Sequence, residues 1–107
     1  MFTRVVEILT KTGKAKELST KITEQVLPIL KRQPGFVDEI TLVSNTDPDR
    51  VLAISFWETE EKAQRYHNEQ FAKVNEIVMP LLQSDPLVET FNVDVSTTHN
   101  ISKGKAA

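Results

Sequence analysis

The chain has 107 residues, 39% of them hydrophobic and 26% charged, a composition typical of one globular domain. Its formal net charge of −2 gives no electrostatic reason to expect nucleic acid or an anionic membrane as a partner. It has no cysteine, which excludes disulfides and thiolate metal sites, and no long apolar run or secretion signal, so we expect a cytoplasmic protein.

The first half of the chain predicts a strand, a helix and a second strand. Residues 2–10 are rich in β-branched side chains and alternate imperfectly, as in a strand that is covered on both faces. From Ala15 to Gln33 apolar side chains recur at helical spacing, and Pro28 is expected to kink this helix or to loosen its last turn. A Pro-Gly pair ends the helix, and Gly35 to Ser44 predicts the second strand.

The second half predicts two further strands that flank a long helix. The turn-forming sequence NTDPDR indicates a hairpin leading to the third strand, Arg50 to Trp57. Thr59 is a good N-cap, and we expect a helix to follow it, with a break near Asn68, until Asp85-Pro86. Leu87 to Val95 alternates as a fourth strand.

The predicted order β-α-β-β-α-β indicates an α+β, ferredoxin-like fold, with four antiparallel strands and both helices on one face. In the third strand Leu52, Ile54 and Phe56 share one parity, and the residues between them are also largely apolar. Because soluble monomers avoid large bare apolar faces, we expect two copies to pack sheet against sheet as an obligate homodimer. We expect one domain over residues 1–96 and a disordered tail over residues 97–107.

Several kinds of chemistry are excluded by missing motifs. The sequence has no phosphate-binding glycine loop, dinucleotide fingerprint, nucleophile-elbow serine or His-x-x-x-His metal pair. The same element order occurs in RNA-recognition domains, but the third strand lacks their glycine, and its aromatic side chains lie on opposite faces. A nucleic-acid-binding function is therefore rejected.

A cluster of aromatic and polar residues remains at the junction of the third strand and the second helix. Trp57 ends the strand, and Tyr66 and His67 follow on the helix, about 100° apart around its axis. Trp57 is either a plug of the core, a dimer anchor or the wall of a ligand pocket, and His67 is either a surface residue or a catalytic one. Arg4 and Glu7 lie on opposite faces of a regular first strand, so they cannot line one cavity together.

The span from about Phe2 to Val95 resembles the antibiotic biosynthesis monooxygenase (ABM) domain family. The resemblance is carried by the segments VVEILTKTGKAKEL, VLPILKRQPGFV, VLAISFWETEEKAQRYH and PLVETFNV, in that order. It implies a dimeric α/β barrel built around both sheets. It also implies a cofactor-independent monooxygenase that oxidises a small electron-rich aromatic, such as a quinol or an anthrone, with dioxygen. No metal or other cofactor is then expected.

The same resemblance suggests site residues. Trp57 is the counterpart of the family's strand-end tryptophan and would wall the pocket, while Tyr66 or His67, or alternatively a water molecule, would exchange a proton with a substrate oxygen. The residues expected to contact the substrate are Arg4, Ala53 and Phe71.

The sequence departs from the family's better-known catalytic sets. Ala53 stands where oxygenases of the polyketide branch have an asparagine, and Lys73 lies in the region where they have an arginine. The haem-degrading branch has a tryptophan where this chain has Tyr66, and a histidine where it has Asn75 or Glu76, which argues against haem ligation. The alternatives are therefore a non-catalytic dimeric module that binds a small apolar ligand, or a haem-degrading or isomerase-type relative.

Overall fold

The computed structural model describes residues 1–99, which form one sheet with helices on one of its faces. Its elements are β1 (Phe2–Leu9), α1 (Ala15–Lys21), a π-helical segment (Ile22–Val26), α2 (Leu27–Lys31), β2 (Phe36–Val43), β3 (Arg50–Trp57), α3 (Glu60–Val78), a 3-10 turn (Met79–Leu81) and β4 (Leu87–Asn92). The sheet order is β2-β3-β1-β4, and every neighbouring pair is antiparallel. The predicted ferredoxin-like fold is confirmed.

The structure differs from the predicted elements in detail. The first helix is interrupted by the π-helical segment Ile22–Val26, which directly precedes Pro28. A proline inside a helix lacks an N–H and clashes with the carbonyl four residues earlier, here that of Glu24, so the interruption expected from Pro28 lies one turn before it. The expected break near Asn68 is absent from α3, and the Asn68 side chain instead accepts a hydrogen bond from Gln64 one turn earlier. β4 ends at Asn92 rather than at Val95.

The hairpin and the turns position the strands as the sequence indicates. Gly35 has a positive φ of 83°, and a Cβ atom there would collide with the side chain of Lys62 on α3. Thr59 caps α3, since its hydroxyl accepts a hydrogen bond from the Lys62 backbone N–H at 3.2 Å. The junction between β3 and α3 is therefore held closely against the start of β2.

The two faces of the sheet have different environments. The face under the helices is the core, and its buried residues on β1 and β3 include Val6, Ile8, Val51 and Trp57. The opposite face, here called the open face, carries exposed apolar side chains, among them Leu42, Leu87 and Phe91. No helix within residues 1–99 is both long and apolar enough to cross a membrane.

The segment after β4 crosses one end of the open face. The His99 ring lies 5.3 Å from the Phe56 ring, and its Nε2 is 3.7 Å from a carboxylate oxygen of Asp38. The backbone N–H groups of Thr98 and His99 both donate to the Ser96 hydroxyl. The predicted disordered tail thus has defined contacts up to residue 99, and residues 100–107 lie outside the described part of the chain.

Candidate active site

A row of polar side chains crosses the otherwise apolar helix-side face of the sheet. Ser55 on β3 lies directly opposite Glu39 on β2 and directly opposite Arg4 on β1, and Arg4 in turn lies opposite Thr90 on β4. Antiparallel partners project to the same face, so these four side chains share one side of the sheet. The next row of side chains on this face, toward the hairpin between β2 and β3, is largely apolar. It consists of Thr41, Ala53, Val6 and Val88.

A cavity lies between this polar row and the helices. Its volume is about 60 Å³, several times the space that one water molecule needs. Its apolar walls come from all layers of the fold: Val6, Ile8, Ile22, Val26, Leu30, Ala53, Phe71, Val74, Val78 and Pro86. Its polar lining is Arg4, Glu39, Ser55, Tyr66 and Asn75. Its mainly apolar lining with a few convergent polar groups is typical of a small-molecule site, while its volume is below the roughly 300–1,000 Å³ of pockets for drug-sized ligands.

The π-helical segment forms part of the cavity wall. Ile22 and Val26, at its two ends, are both buried and both line the cavity. A π-helical turn inside an α-helix carries an energetic cost and is often retained at functional sites. The widened turn here places both side chains over the polar row.

Arg4 is a buried cation that has no anionic partner within the described residues 1–99. Its residue is 4% exposed, and no carboxylate within residues 1–99 lies at ion-pair distance from it. The guanidinium contacts the Nδ1 atom of His67 at 3.0 Å and lies over the rings of Tyr66 and Phe71, 5.1 and 4.8 Å from their centres. Burial lowers the pKa of Arg4, while Tyr66 opposes this effect. An unpaired buried charge is costly, so its place in a cavity wall favours an anionic ligand.

Tyr66 is the aromatic side chain of the junction that reaches the cavity. Burial raises the pKa of its phenol, and Arg4 partly opposes that rise. The raised pKa keeps the hydroxyl protonated at neutral pH, so that it can donate a hydrogen bond. Its ring is stacked on the Trp57 indole with 5.0 Å between ring centres.

Trp57 lies behind the cavity rather than in its wall. The indole is fully buried, stacked on Tyr66, and contacted by the edge of Phe36 with 5.6 Å between centres. Its Nε1 donates to the Ser55 hydroxyl at 2.9 Å. Trp57 was expected to form the cavity wall. Tyr66 and Ser55 line the cavity instead, and the contacts of Trp57 with both residues hold them in place.

The sequence of this scaffold matches a known family. The model of the family described as antibiotic biosynthesis monooxygenase matches residues 1–75, about two-thirds of the chain and most of the cavity-lining residues. The chain belongs to the antibiotic biosynthesis monooxygenase family. No protein with a curated description matches the sequence.

Solved structures with the same fold include oxygenases and proteins of unknown function. The chain is similar to a monooxygenase from the ActVA-Orf6 gene of Streptomyces coelicolor in complex with nanaomycin D, with 19% identity, coverage of 92% of this chain and 91% of that one, and a TM-score of 0.78. It is also similar to a variant of SnoaB, a cofactor-independent oxygenase of Streptomyces nogalater, with 18% identity, coverage of 92% and 97%, and a TM-score of 0.75. The protein NE2512 of Nitrosomonas europaea, of unknown function, is 19% identical, with coverage of 92% and 93% and a TM-score of 0.75.

Four of the six site residues suggested by the sequence line the cavity. Arg4, Ala53, Tyr66 and Phe71 line it, whereas Trp57 lies behind it. His67 is exposed at the rim, where it contacts Arg4 and stacks on Phe71 with 5.1 Å between ring centres.

Three cavity-lining polar residues were not suggested by the sequence. One is Ser55 on β3, whose hydroxyl accepts the hydrogen bond from Trp57. Glu39 projects from β2 into the cavity, where burial raises the pKa of its carboxyl group. Asn75 on α3 lines the same cavity, and its Oδ1 is buried without a hydrogen-bond partner within residues 1–99. A buried unpaired acceptor calls for a ligand or a water molecule as its partner.

We expect replacement of His67 by alanine to have a small effect on stability. The lost hydrogen bond to Arg4 contributes no more than about 0.5–1.5 kcal/mol to the free energy of unfolding. Burial, with a smaller contribution from Arg4, lowers the pKa of His67 below 6.5 in the folded state. Between the pKa of His67 in the folded protein and its higher pKa in the unfolded chain, the unfolded chain binds more protons than the folded protein does. Wild-type stability therefore falls as the pH is lowered through that window.

Thermal unfolding across this pH range checks the expectation. The His67→Ala variant should lose that part of the pH dependence, while the rest of the unfolding curve is retained. A stability loss above about 3 kcal/mol would instead indicate a buried structural role.

Proposed function

We propose that the protein is a cofactor-independent monooxygenase that oxidises a small electron-rich aromatic compound, of the quinol or anthrone type, with dioxygen. The observation that carries the proposal is the Arg4 guanidinium, which is buried, has no carboxylate partner within residues 1–99, and lines an apolar cavity. Such a group fits an aromatic molecule that has lost a proton from oxygen and carries negative charge.

The reaction follows from the chemistry of such an anion. Loss of a proton leaves an electron-rich phenolate or enolate, which can reduce dioxygen without another electron source. For an anthrone-type methylene, one oxygen atom of O₂ becomes the new carbonyl oxygen, and the other leaves as water with the two methylene hydrogens. The protein would supply a site with little water, a fixed orientation and stabilisation of the anion.

Three polar residues of the cavity have roles in this proposal. Arg4 would hold the substrate oxyanion, and the protonated Tyr66 would donate to oxygen as charge develops on it. Asn75 would hydrogen-bond a second polar group of the substrate. Phe71 would contact the edge or the face of the substrate's aromatic ring, and Ala53 would contact the ring from the sheet.

Oxygen consumption by the purified protein tests this function. The panel would contain quinols, anthrones, nanaomycin D in its reduced form, and haem, each added without any cofactor. We expect uptake of one O₂ per substrate consumed for at least one quinol or anthrone, and none after heat denaturation. Saturable binding of these compounds without oxygen uptake would contradict the proposal and favour the non-catalytic binding module.

We also propose that a second copy of the chain covers the open face. The support is the apolar content of that face, where Leu42, Leu87 and Phe91 are 46%, 66% and 48% exposed. Their neighbours across the strands, Leu52 and Val5, extend the same surface. A self-complementary face of this kind suits a two-fold dimer.

Two neighbouring substitutions test the homodimer. Leu42→Lys places a charge on the open face and should shift the protein from the mass of two chains to the mass of one, as measured by light scattering after gel filtration. Val43→Lys is the matched control, because Val43 is equally exposed, at 45%, but pairs with Val51 on the helix-side face. Equal masses for the two variants, or a monomeric wild type, would contradict the dimer.

A further inference from the structure

We propose that Glu39 takes the proton from the hydroxyl group of the substrate. The inference rests on the proposed function, since it names the base of that reaction. The sequence suggested Tyr66 or His67 for this role. The geometry favours the carboxyl group on β2 over both.

Glu39 lines the cavity and lies across the sheet from Arg4. It lies opposite Ser55 in the strand register, and Ser55 lies opposite Arg4, so the two charged residues are two strands apart. Neighbouring strands are about 4.8 Å apart, so the backbones of Glu39 and Arg4 are separated by roughly 10 Å. Both side chains line the same cavity.

The carboxylate and the guanidinium do not neutralise each other. No ion pair joins Glu39 to Arg4 or to any other cation within residues 1–99. The two side chains enter one cavity from β2 and β1, which are separated by β3. Their separation leaves room for a substrate hydroxyl to contact the carboxylate while the resulting oxyanion contacts Arg4.

The carboxylate is oriented and its basicity is increased by its surroundings. Thr41 donates a hydrogen bond to the Oε2 atom of Glu39 at 2.9 Å, which fixes the plane of the carboxylate and leaves Oε1 for a substrate. Burial raises the pKa of Glu39, Asp38 on the same strand adds to the rise, and the Thr41 hydrogen bond opposes it. The other ionisable groups of the cavity are Arg4 on β1 and Tyr66 on α3. A carboxylate with a raised pKa is a better proton acceptor at neutral pH.

The two groups suggested by the sequence are less suitable bases. The pKa of Tyr66 is raised, so that its phenol holds its proton at neutral pH. The Nδ1 atom of His67 contacts the Arg4 guanidinium, which can only donate, and His67 is outside the cavity lining. Glu39 combines a free acceptor with a position in the cavity.

The proposed step is a proton transfer. The O–H bond of the substrate breaks, its electron pair stays on the substrate oxygen, and the proton forms a bond to Oε1 of Glu39. The negative charge moves from the carboxylate to the substrate oxygen, beside Arg4. The oxidation by dioxygen follows on the substrate anion.

Kinetics with the best substrate of the panel give the first test. Glu39→Gln keeps the shape and the Thr41 contact but removes the base, so kcat should fall by about 10²–10⁴-fold, while the substrate still binds. In the wild type, kcat/KM should fall at acid pH as Glu39 becomes protonated, and this limb should be absent from the residual activity of the variant. Glu76→Gln, an exposed change on α3, is the matched control and should behave as wild type.

Proton counting gives a second test that needs no turnover. The probe is 4-nitrophenol, whose anion is yellow, mixed with protein at a pH below the pKa of the free phenol. Calorimetry in buffers of different ionisation heats counts the protons released. We expect the wild type to form bound phenolate without releasing a proton, because Glu39 takes it, whereas Glu39→Gln should release one proton for each phenolate formed or leave the phenol neutral.

The outcomes separate the two proposals. Unchanged kcat in Glu39→Gln, or bound phenolate formed by both proteins with equal proton release, overturns the role of Glu39 and leaves the oxygenase proposal standing. An absence of oxygen uptake by the wild type overturns the oxygenase proposal, while the proton count still reports on Glu39. A wild type that binds the probe only as the neutral phenol overturns the proton transfer itself.

Discussion

Replacing Trp57 with alanine is expected to lower the free energy of unfolding by about 3–5 kcal/mol. The indole is fully buried and packs on Tyr66 and Phe36, so the change leaves a large void that the surrounding strands cannot fill. It also removes the Nε1 donor that satisfies the Ser55 hydroxyl. A loss of this size is a large part of the total stability of a small domain, which is about 5–15 kcal/mol.

Chemical denaturation of the wild type and two variants measures this effect. We expect Trp57→Phe to lower the free energy of unfolding by about half as much as Trp57→Ala, or less. The reason is that an aromatic ring still fills most of the space between Tyr66 and Phe36. Oxygen uptake by Trp57→Ala, measured where it remains folded, should be reduced through displacement of Tyr66. A loss below about 1 kcal/mol would show that the indole is not the core plug described here.

Replacing Arg4 with methionine is expected to separate stability from function. Methionine has a similar length but no charge, so the variant should unfold at an equal or higher denaturant concentration, because burial of an unpaired cation is unfavourable. Binding of the substrate anion should weaken by about 10- to 100-fold, since a hydrogen bond to a charged group contributes about 1.5–3 kcal/mol. A gain in stability together with a loss of activity is the trade-off expected at a functional site.

The control for Arg4→Met is the same change at Arg65. Arg65 is on the exposed side of α3, where its ion pair within residues 1–99 is with Glu69 one turn later, so its loss should change stability and activity little. Substrate binding that is unaffected by Arg4→Met would remove the main support for an anion site. A strong loss of stability in Arg4→Met would mean that its contacts with Tyr66, Phe71 and His67 outweigh the cost of the buried charge.

The fold could be predicted from the sequence because its signals are local. The hairpin sequence between β2 and β3, the Thr59 cap and the Pro-Gly pair at residues 34–35 all appear in the structure with the geometry that their chemistry requires. The interruption of the first helix could be predicted from Pro28, but its π-helical form at Ile22–Val26 could not, since no residue type specifies a π-helical turn.

The candidate site could be predicted only in part. Residue type pointed to Trp57, Tyr66 and Arg4, but whether an aromatic side chain lines a cavity or fills the core depends on packing between layers. Glu39 carried a usable signal, because counting back from the hairpin places it opposite Ser55 on the helix-side face. The environment of Asn75 depends on how α3 is rotated over the sheet, which the sequence does not specify at this precision.

The central claim is that the cavity holds an aromatic substrate as its anion against Arg4 and exposes it to dioxygen. Anaerobic mixing followed by an oxygen pulse tests this claim most directly. A substrate from the quinol or anthrone panel is mixed with protein without oxygen, and its absorption spectrum is recorded in a stopped-flow instrument. We expect the spectrum of the anion to appear on binding, to be absent in Arg4→Met, and to decay in the wild type when oxygen is added. A bound substrate that stays neutral, or an anion that persists in oxygen, would contradict it.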